Sequence, residues 1–194
     1  MMTRTSQHLL TKVLPAVVDY ETAETQLSEA YNRDSDPGSW ETQGQAAKRR
    51  AMELAIAIDG LADRAALELG TPKKDVRSNV QALCAYASGS VRDGCLDRVR
   101  AVAVAYRHDN VDDPSLPIKS EDDILSLGLG YGLDGYGVGK FSGVEVLVRE
   151  TNGPTYKFAG DAPIAIAGWL RYLAANGVPV TAAPERICGL EMPR

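Results

Sequence analysis

The chain has 194 residues, of which 44% are apolar and 6% are aromatic, and its formal net charge is −5. This length fits one domain, 1–194, that buries about 70% of the surface its unfolded chain exposes. A general nucleic-acid binder needs a basic surface that releases the counterions of phosphates. The acidic balance therefore argues against nucleic acid as a partner.

Neither a membrane span nor a signal peptide is expected. No run of about 18 consecutive apolar residues is present, as a spanning helix requires. Lys12, Pro15 and Asp19 interrupt the apolar N-terminus, which is not typical of a secretory signal. The cysteines are Cys84, Cys95 and Cys188. An odd number without paired spacing favours buried, reduced thiols and a cytoplasmic location.

Apolar residues spaced three and four positions apart predict a helical bundle over residues 5–109. The first helix is expected over Thr5–Arg33, with a break near Pro15. The second and central helix is expected over Gln45–Leu69, with Ile58 in its apolar stripe. The residues predicted to face inward in the first helix are Val17, Val18, Leu27, Ala30 and Tyr31.

Two shorter helices complete the predicted bundle. The third opens at Pro72, which is pre-organised for a first helical turn, and ends at Gly89. Ser90 followed by Asp93 resembles a capping box and predicts the start of the fourth helix, which runs to about His108. The predicted inward residues of the third helix are Val76, Val80, Leu83, Cys84 and Ala87.

A β region is predicted over residues 116–159. Ile124–Leu129 has the composition of a strand, and Gly143–Glu150 alternates valines with polar residues. Thr155–Phe158 supplies the return strand of a hairpin. Its turn is predicted at the Asn-Gly pair that ends in Gly153, because both residues tolerate positive φ.

A final helix is predicted over residues 161–176, capped by Asp161 and ended by Gly177. The tail over 177–194 contains three prolines and is expected to lie over the surface. The predicted fold class is therefore mainly α. It comprises a four-helix array, then a small antiparallel hairpin or three-stranded sheet, and then a C-terminal helix.

A glycine-rich loop over 128–139 separates the first two predicted strands. Three of its glycines form a G-x-G-x-x-G pattern, but the helix that a dinucleotide site needs does not follow it. No cofactor is therefore predicted. The loop is interpreted as a long, mobile hairpin connection, with a binding lid as the alternative. Tyr131 and Tyr136 are the contact groups of that lid.

The histidines are the side chains whose ordinary pKa lies near neutral pH. His8 is expected near a frayed N-terminus, so acid–base catalysis is predicted to use His108. His108 follows Arg107 at the end of the fourth helix, and Arg100 lies two turns earlier. The favoured interpretation is a histidine that caps helix carbonyls and pairs with a nearby aspartate, and the catalytic role is the alternative.

Six acidic residues bracket Pro114 and Pro117 in the loop after the fourth helix. Oxygen-rich loops can hold Ca²⁺ or Mg²⁺, but this spacing lacks the alternate ligands and central glycine of an EF-hand. A solvated loop is favoured and no metal is predicted. Asp109, the first of the six, is grouped with Tyr131 and Tyr136 as a candidate for ligand or partner binding.

The segment Ala105-Tyr106-Arg107-His108 resembles the end of a helix in uncharacterised bacterial proteins related to HEPN domains, where an Asn-Ala-x-Lys-His segment precedes a polar loop and a hairpin. The resemblance covers about Ala47–Leu173. It implies a helical, homodimeric domain, and in the ribonuclease members an arginine and a histidine cleave RNA without metal. Arg100 and His108 would hold those positions, with a longer separation than is usual and Ala101 where a polar residue is common.

Two functional classes are therefore open. The first is a non-catalytic interaction or ligand-binding domain, homodimeric if the resemblance holds. The second is an enzyme: either a metal-independent ribonuclease using His108 with Arg100 or Arg107, or a small-molecule enzyme with the glycine-rich loop as its lid. A groove shared by His108 and Arg100 favours catalysis, whereas a His108 that only caps its helix favours binding.

Overall fold

The computed structural model describes residues 2–108, 111–128, 143–151 and 153–193. Within them the helices are α1 (Thr3–His8), α2 (Leu14–Arg33), α3 (Pro37–Leu69), α4 (Lys73–Gln81), α5 (Cys95–Arg107) and α6 (Phe158–Ala175). The strands are β1 (Ile124–Gly128), β2 (Val144–Arg149), β3 (Thr155–Lys157), β4 (Arg186–Ile187) and β5 (Leu190–Glu191). The predicted fold, mainly α with a small antiparallel sheet and a C-terminal helix, is confirmed.

The N-terminal helices form one continuous rod. A π-helical turn, Leu9–Val13, joins α1 to α2, so the break predicted near Pro15 takes the form of a bulge. Proline lacks an N–H and its ring crowds the carbonyl four residues earlier, and a wider turn accommodates both effects. The prediction that Val18 faces inward is wrong, because this side chain is 61% exposed.

Helix α3 is the centre of the bundle and packs against the other five helices and the sheet. It begins at Pro37 rather than at the predicted Gln45. Asp36 caps it, since Oδ1 accepts a hydrogen bond from the N–H of Gly38 at 3.0 Å. Gly70 ends the helix with φ 63°, as its sequence position indicates. Ile58 is fully buried, which confirms the predicted phase of the apolar stripe.

The segment 82–94 is a loop, although the apolar spacing predicts helix up to Gly89 and again from Ser90. The backbone N–H of Arg92 donates to the carbonyl of Cys84 at 2.8 Å, and this pairing across the loop replaces helical hydrogen bonds. The predicted capping box is therefore wrong. Gly94, with φ 69°, stands at the N-cap of α5 instead.

The strands β1, β2 and β3 form one antiparallel sheet in that order, and the predicted hairpin pairing of β2 with β3 is confirmed. Gly128 lies opposite Val144 in the pairing of β1 with β2. The chain between them therefore connects neighbouring antiparallel strands, although residues 129–142 lie outside the described part of the structure. Phe158, predicted as the end of β3, is the first residue of α6.

The turn between β2 and β3 differs from the predicted two-residue turn. The N–H of Glu150 donates to the carbonyl of Pro154 at 3.2 Å, and Arg149 lies opposite Thr155, so the connection is longer. Gly153 does not have positive φ, and that prediction is wrong. Positive φ at both central residues is a requirement of the shorter type I′ turn only.

Helix α6 is buried on almost every side from Phe158 to Leu173, and Trp169 is 1% exposed. It starts three residues before Asp161, so the prediction that Asp161 caps it is wrong. An all-round apolar helix lies inside a domain rather than on its surface. No described helix is long and apolar enough to cross a membrane.

The C-terminal tail folds into a small hairpin of β4 and β5 instead of only lying over the surface. Cys188 and Gly189 form its two-residue turn, with φ 48° and 80°. Positive φ at both positions is the signature of a type I′ turn. Ile187 is fully buried, so the hairpin is anchored to the core.

Candidate functional site

The two arginines that were predicted to assist catalysis are each bound to a carboxylate. Nη2 of Arg100 lies 2.8 Å from Oδ2 of Asp113, and Nη2 of Arg107 lies 2.9 Å from Oδ2 of Asp59. Arg77 contacts the other oxygen of Asp59 at 2.8 Å, so this carboxylate joins α3, α4 and α5. Both arginines therefore tie elements of the fold together.

His108 lies at the exposed end of α5, where its backbone N–H donates to the carbonyl of Val104 at 3.0 Å. Arg100 lines a cavity of about 10 Å³, and His108 is not among the described residues around it. The two positions are separated by roughly 12 Å along the helix axis, at about 1.5 Å per residue. The catalytic role of the pair stays a prediction.

The residues assigned to binding, Asp109, Tyr131 and Tyr136, lie outside the described part of the structure. His8 is described and is held in place. Its Nε2 lies 2.8 Å from the carbonyl oxygen of Ala57 in α3, so the expected fraying of the N-terminus is not observed. Burial lowers the pKa of His8 below its ordinary value, because it disfavours the charged imidazolium.

A buried cluster of three charges joins the start of α6 to α5 and to the loop over 82–94. Asp161 is fully buried, and its Oδ1 and Oδ2 lie 2.6 Å from Nε of Arg92 and 2.8 Å from Nε of Arg98. Nη2 of Arg98 makes a further contact to Oδ1 at 3.0 Å. A buried carboxylate needs partners of this kind, so the three side chains act as one unit.

Aromatic and acidic side chains surround this cluster. The guanidinium carbon of Arg98 lies 3.6 Å from the ring centroid of Tyr156, a cation–π contact, and Nη1 of Arg98 lies 3.2 Å from Glu150. Burial alone lowers the pKa of Arg98, but the hydrogen bond and charge of Asp161 outweigh it and raise that pKa overall. The cluster is built to hold α5, β3 and α6 together.

A groove runs along one face of α2. We call it the α2 groove, and its volume is about 680 Å³. Its described lining residues are Tyr20, Glu21, Glu24, Thr25, Ser28, Glu29, Asn32, Ala159 and Cys188. A volume of this order is typical of small-molecule sites. No motif in the sequence indicates this groove, because its wall is an ordinary polar helix face until other elements stand opposite it.

The wall of the α2 groove presents hydrogen-bond acceptors. The hydroxyl of Thr25 donates to the carbonyl of Glu21 at 2.9 Å, and that of Ser28 donates to the carbonyl of Glu24 at 2.8 Å. Each hydroxyl has one proton, so these hydrogen bonds leave its oxygen lone pairs to face the groove. The carboxylate of the exposed Glu29 adds further acceptors.

The floor of the groove is a rigid polar contact between α2 and the sheet. The hydroxyl of Tyr20 donates to Oε1 of Glu24 at 3.1 Å, and the backbone N–H of Val146 donates to the same oxygen at 3.2 Å. The ring of Tyr20 packs edge-on against Phe158 at a centroid distance of 5.4 Å. Burial, and then the charge of Glu24, raise the pKa of Tyr20 well above its usual value.

The C-terminal hairpin closes one side of the α2 groove. Oε1 of Glu21 accepts a hydrogen bond from the backbone N–H of Cys188 at 2.6 Å. Cys188 is the one non-glycine among the described residues with positive φ, a conformation that costs about 1 kcal/mol or more. The hydrogen bond to Glu21 therefore helps to hold a strained turn at the groove.

The described residues contain no group of three or more histidine, cysteine, aspartate or glutamate side chains that could hold a metal ion. Comparison of the chain with protein-family models, with curated proteins and with solved structures gives no significant match in any of the three.

Proposed function

We propose that the protein is a non-catalytic ligand-binding domain, and that its ligand is a small organic cation held in the α2 groove. The observation that carries this proposal is the row of acceptor oxygens on Thr25, Ser28 and Glu29 along a groove of about 680 Å³. Acceptors that lack spare protons are complementary to a ligand rich in N–H donors, such as an amine or a guanidinium.

The charge of the groove supports the same class of ligand. Glu21 and Glu29 both line it, and none of its described lining residues is a lysine or an arginine. A groove lined by one sign of charge concentrates ligands of the opposite sign. Because Glu21 also holds the Cys188 turn, a cation bound beside it contacts an element that is already fixed in place.

Titration calorimetry with spermidine, a flexible polyamine, tests the proposal. We expect saturable binding to the wild type, and we expect Glu29→Lys to weaken it by about tenfold or more, because the new ammonium repels the ligand at a few ångströms. Asp63→Lys, the same charge change about 33 Å further along α3 than the end that faces Glu29, is the matched control and should leave the affinity within about twofold.

No binding by the wild type, or equal weakening by both variants, would contradict a specific site in the α2 groove. The roles of Tyr131 and Tyr136 stay a prediction within this proposal. Gly143, at the end of the segment that contains them, lies beside the ring of Tyr31, close to the Asn32 end of the groove. If the tyrosines contact the ligand, then Tyr131→Ala or Tyr136→Ala weakens spermidine binding.

The ribonuclease alternative gives an independent expectation. Arg100 and Arg107 already neutralise Asp113 and Asp59, so neither arginine is a free anion-binding group among the described residues. We expect wild-type protein in EDTA to leave single-stranded RNA uncut. His108→Ala should lower the free energy of unfolding by less than about 1 kcal/mol, since the side chain is exposed.

Cleavage by the wild type that disappears in a folded His108→Ala variant would reverse this preference. It would also support the HEPN-like relationship and the homodimer, both of which stay predictions.

A further inference from the structure

The first strand of the sheet has an open edge. In the order β1-β2-β3, β1 pairs with β2 on one side only. Half of its N–H and C=O groups therefore point away from β2. Proteins normally protect such an edge with charged residues, proline or a bulge, because it can pair with another chain. The sequence of β1, Ile-Leu-Ser-Leu-Gly, contains none of these protective residues.

A groove follows this edge, and we call it the β1 edge groove. It has a volume of about 460 Å³ and lies between β1 and the first turns of α3. Its described lining residues are Pro37, Gly38, Trp40, Glu41, Gly44, Gln45, Lys48, Asp122, Ile124, Leu125, Ser126 and Leu127. Four consecutive residues of β1 line it, so the groove runs along the strand.

The backbone of β1 beyond its pairing with β2 is not used by the rest of the described chain. From Leu125 to Leu127, the one hydrogen bond to another element is made by a side chain, where the hydroxyl of Ser126 donates to the carbonyl of Gly44 at 2.8 Å. Gly44 allows this approach, because a Cβ there would lie 3.2 Å from that of Ser126. Leu127 is 42% exposed. The edge thus combines free backbone groups with an uncovered apolar side chain.

The charges beside the groove indicate which kind of chain it would bind. Glu41 and Asp122 line it, and Lys48, its one described cation, lies 3.3 Å from a carboxylate oxygen of Glu121. A second copy of this chain, paired edge to edge, would bring these acidic groups towards their own equivalents. Like charges placed opposite each other across an interface are unfavourable. An extended segment with basic residues has the complementary charge.

We propose that the β1 edge groove binds an extended, basic peptide segment of a partner protein, which adds a fourth strand to the sheet at β1. Backbone hydrogen bonds to β1 supply affinity in this mode, and alternate side chains supply specificity. Because Ser126 points towards Gly44 and Trp40, the neighbouring Leu127 lies on the opposite face of the sheet. Side chains on one face of the peptide therefore pack on Trp40 and those on the other face pack on Leu127, and its basic side chains meet Glu41 and Asp122. This site is separate from the α2 groove and does not depend on the function proposed there.

The test uses a fluorescent peptide of alternating lysine and valine, seven residues long, with fluorescence anisotropy as the readout. We expect this peptide to bind the full chain saturably. A control peptide, in which glutamate replaces each lysine, should bind about tenfold more weakly. Methylation of alternate backbone nitrogens, which keeps the charge but removes the strand hydrogen bonds, should weaken binding by about tenfold or more. Binding that survives methylation would overturn strand addition.

Two variants locate the site. Glu41→Lys should weaken binding of the lysine–valine peptide by about tenfold. Asp63→Lys should leave that affinity unchanged, since position 63 lies roughly 33 Å further along α3. Leu127→Lys should also weaken binding, and because this side chain is exposed the variant should fold. Equal effects of Glu41→Lys and Asp63→Lys would mean non-specific attraction. A wild-type dimer that Leu127→Lys dissociates would identify a second copy as the occupant, and would overturn the peptide proposal.

Discussion

Replacing Ile58 with aspartate is expected to leave the chain largely unfolded at 25 °C. Ile58 is fully buried in the middle of α3, which packs against each of the other described helices. An aspartate there loses apolar contacts, which costs about 2–5 kcal/mol, and places an unpaired charge in the core, which costs about 3–5 kcal/mol more. This is a large part of the roughly 5–15 kcal/mol that stabilises a domain.

Circular dichroism during urea unfolding measures the effect of Ile58→Asp. The matched control is Leu67→Asp on the same helix, where the side chain is 72% exposed and the same charge enters water. The control should lower the free energy of unfolding by no more than about 1.5 kcal/mol, because an aspartate in the last turn of a helix loses some helix propensity and opposes the helix dipole. Unfolding curves that coincide for the two variants would remove Ile58 from the core and the assigned phase of α3 with it.

Replacing Asp161 with asparagine is expected to cost about 3–5 kcal/mol, because Arg92 and Arg98 then lose the buried carboxylate that they share. The arginines are only 7% and 2% exposed, so neither can turn to water without moving its helix or loop. Asparagine has nearly the same shape as aspartate, so the loss of stability reports the missing charge rather than a change of side-chain volume. Urea unfolding of the wild type and the variant gives the difference.

The control for Asp161→Asn is Asp63→Asn. Asp63 forms an ion pair with Lys73 in which both side chains are about half exposed. Exposed pairs contribute about 1 kcal/mol or less, so this variant should be close to the wild type. A loss below about 1 kcal/mol for Asp161→Asn would show that the two guanidinium groups find other acceptors or reach solvent.

The helices and strands were predictable where a local pattern decides the structure. The stripe of α3, with Ile58 in its centre, and the stop at Gly70 both follow from spacing and from the conformational freedom of glycine. The pairing of β2 with β3 likewise follows from alternation on either side of a turn. Each of these features depends on residues close together in the chain.

The incorrect predictions concern features whose structure depends on residues that are distant in the sequence. Asp161 has the sequence position of a helix cap, and its buried role depends on arginines that are more than 60 positions away. The loop over 82–94 has an apolar helical period, but two of its carbonyls, those of Leu83 and Ala85, accept hydrogen bonds from Arg171 in α6. The α2 groove depends on Cys188, which reaches α2 from the end of the chain. No local pattern carries such long-range contacts.

The burial of α6 on every side has a consequence for the order of folding. Its contacts are with α3, α4, α5 and the sheet, so its apolar surface finds partners only after those elements have come together. It lies late in the chain, and until it docks, the bundle and the sheet expose the surfaces that it will cover. The core surfaces of α3, α4, α5 and the sheet that face Phe158–Ala175 are therefore covered only when this late segment of the chain is in place.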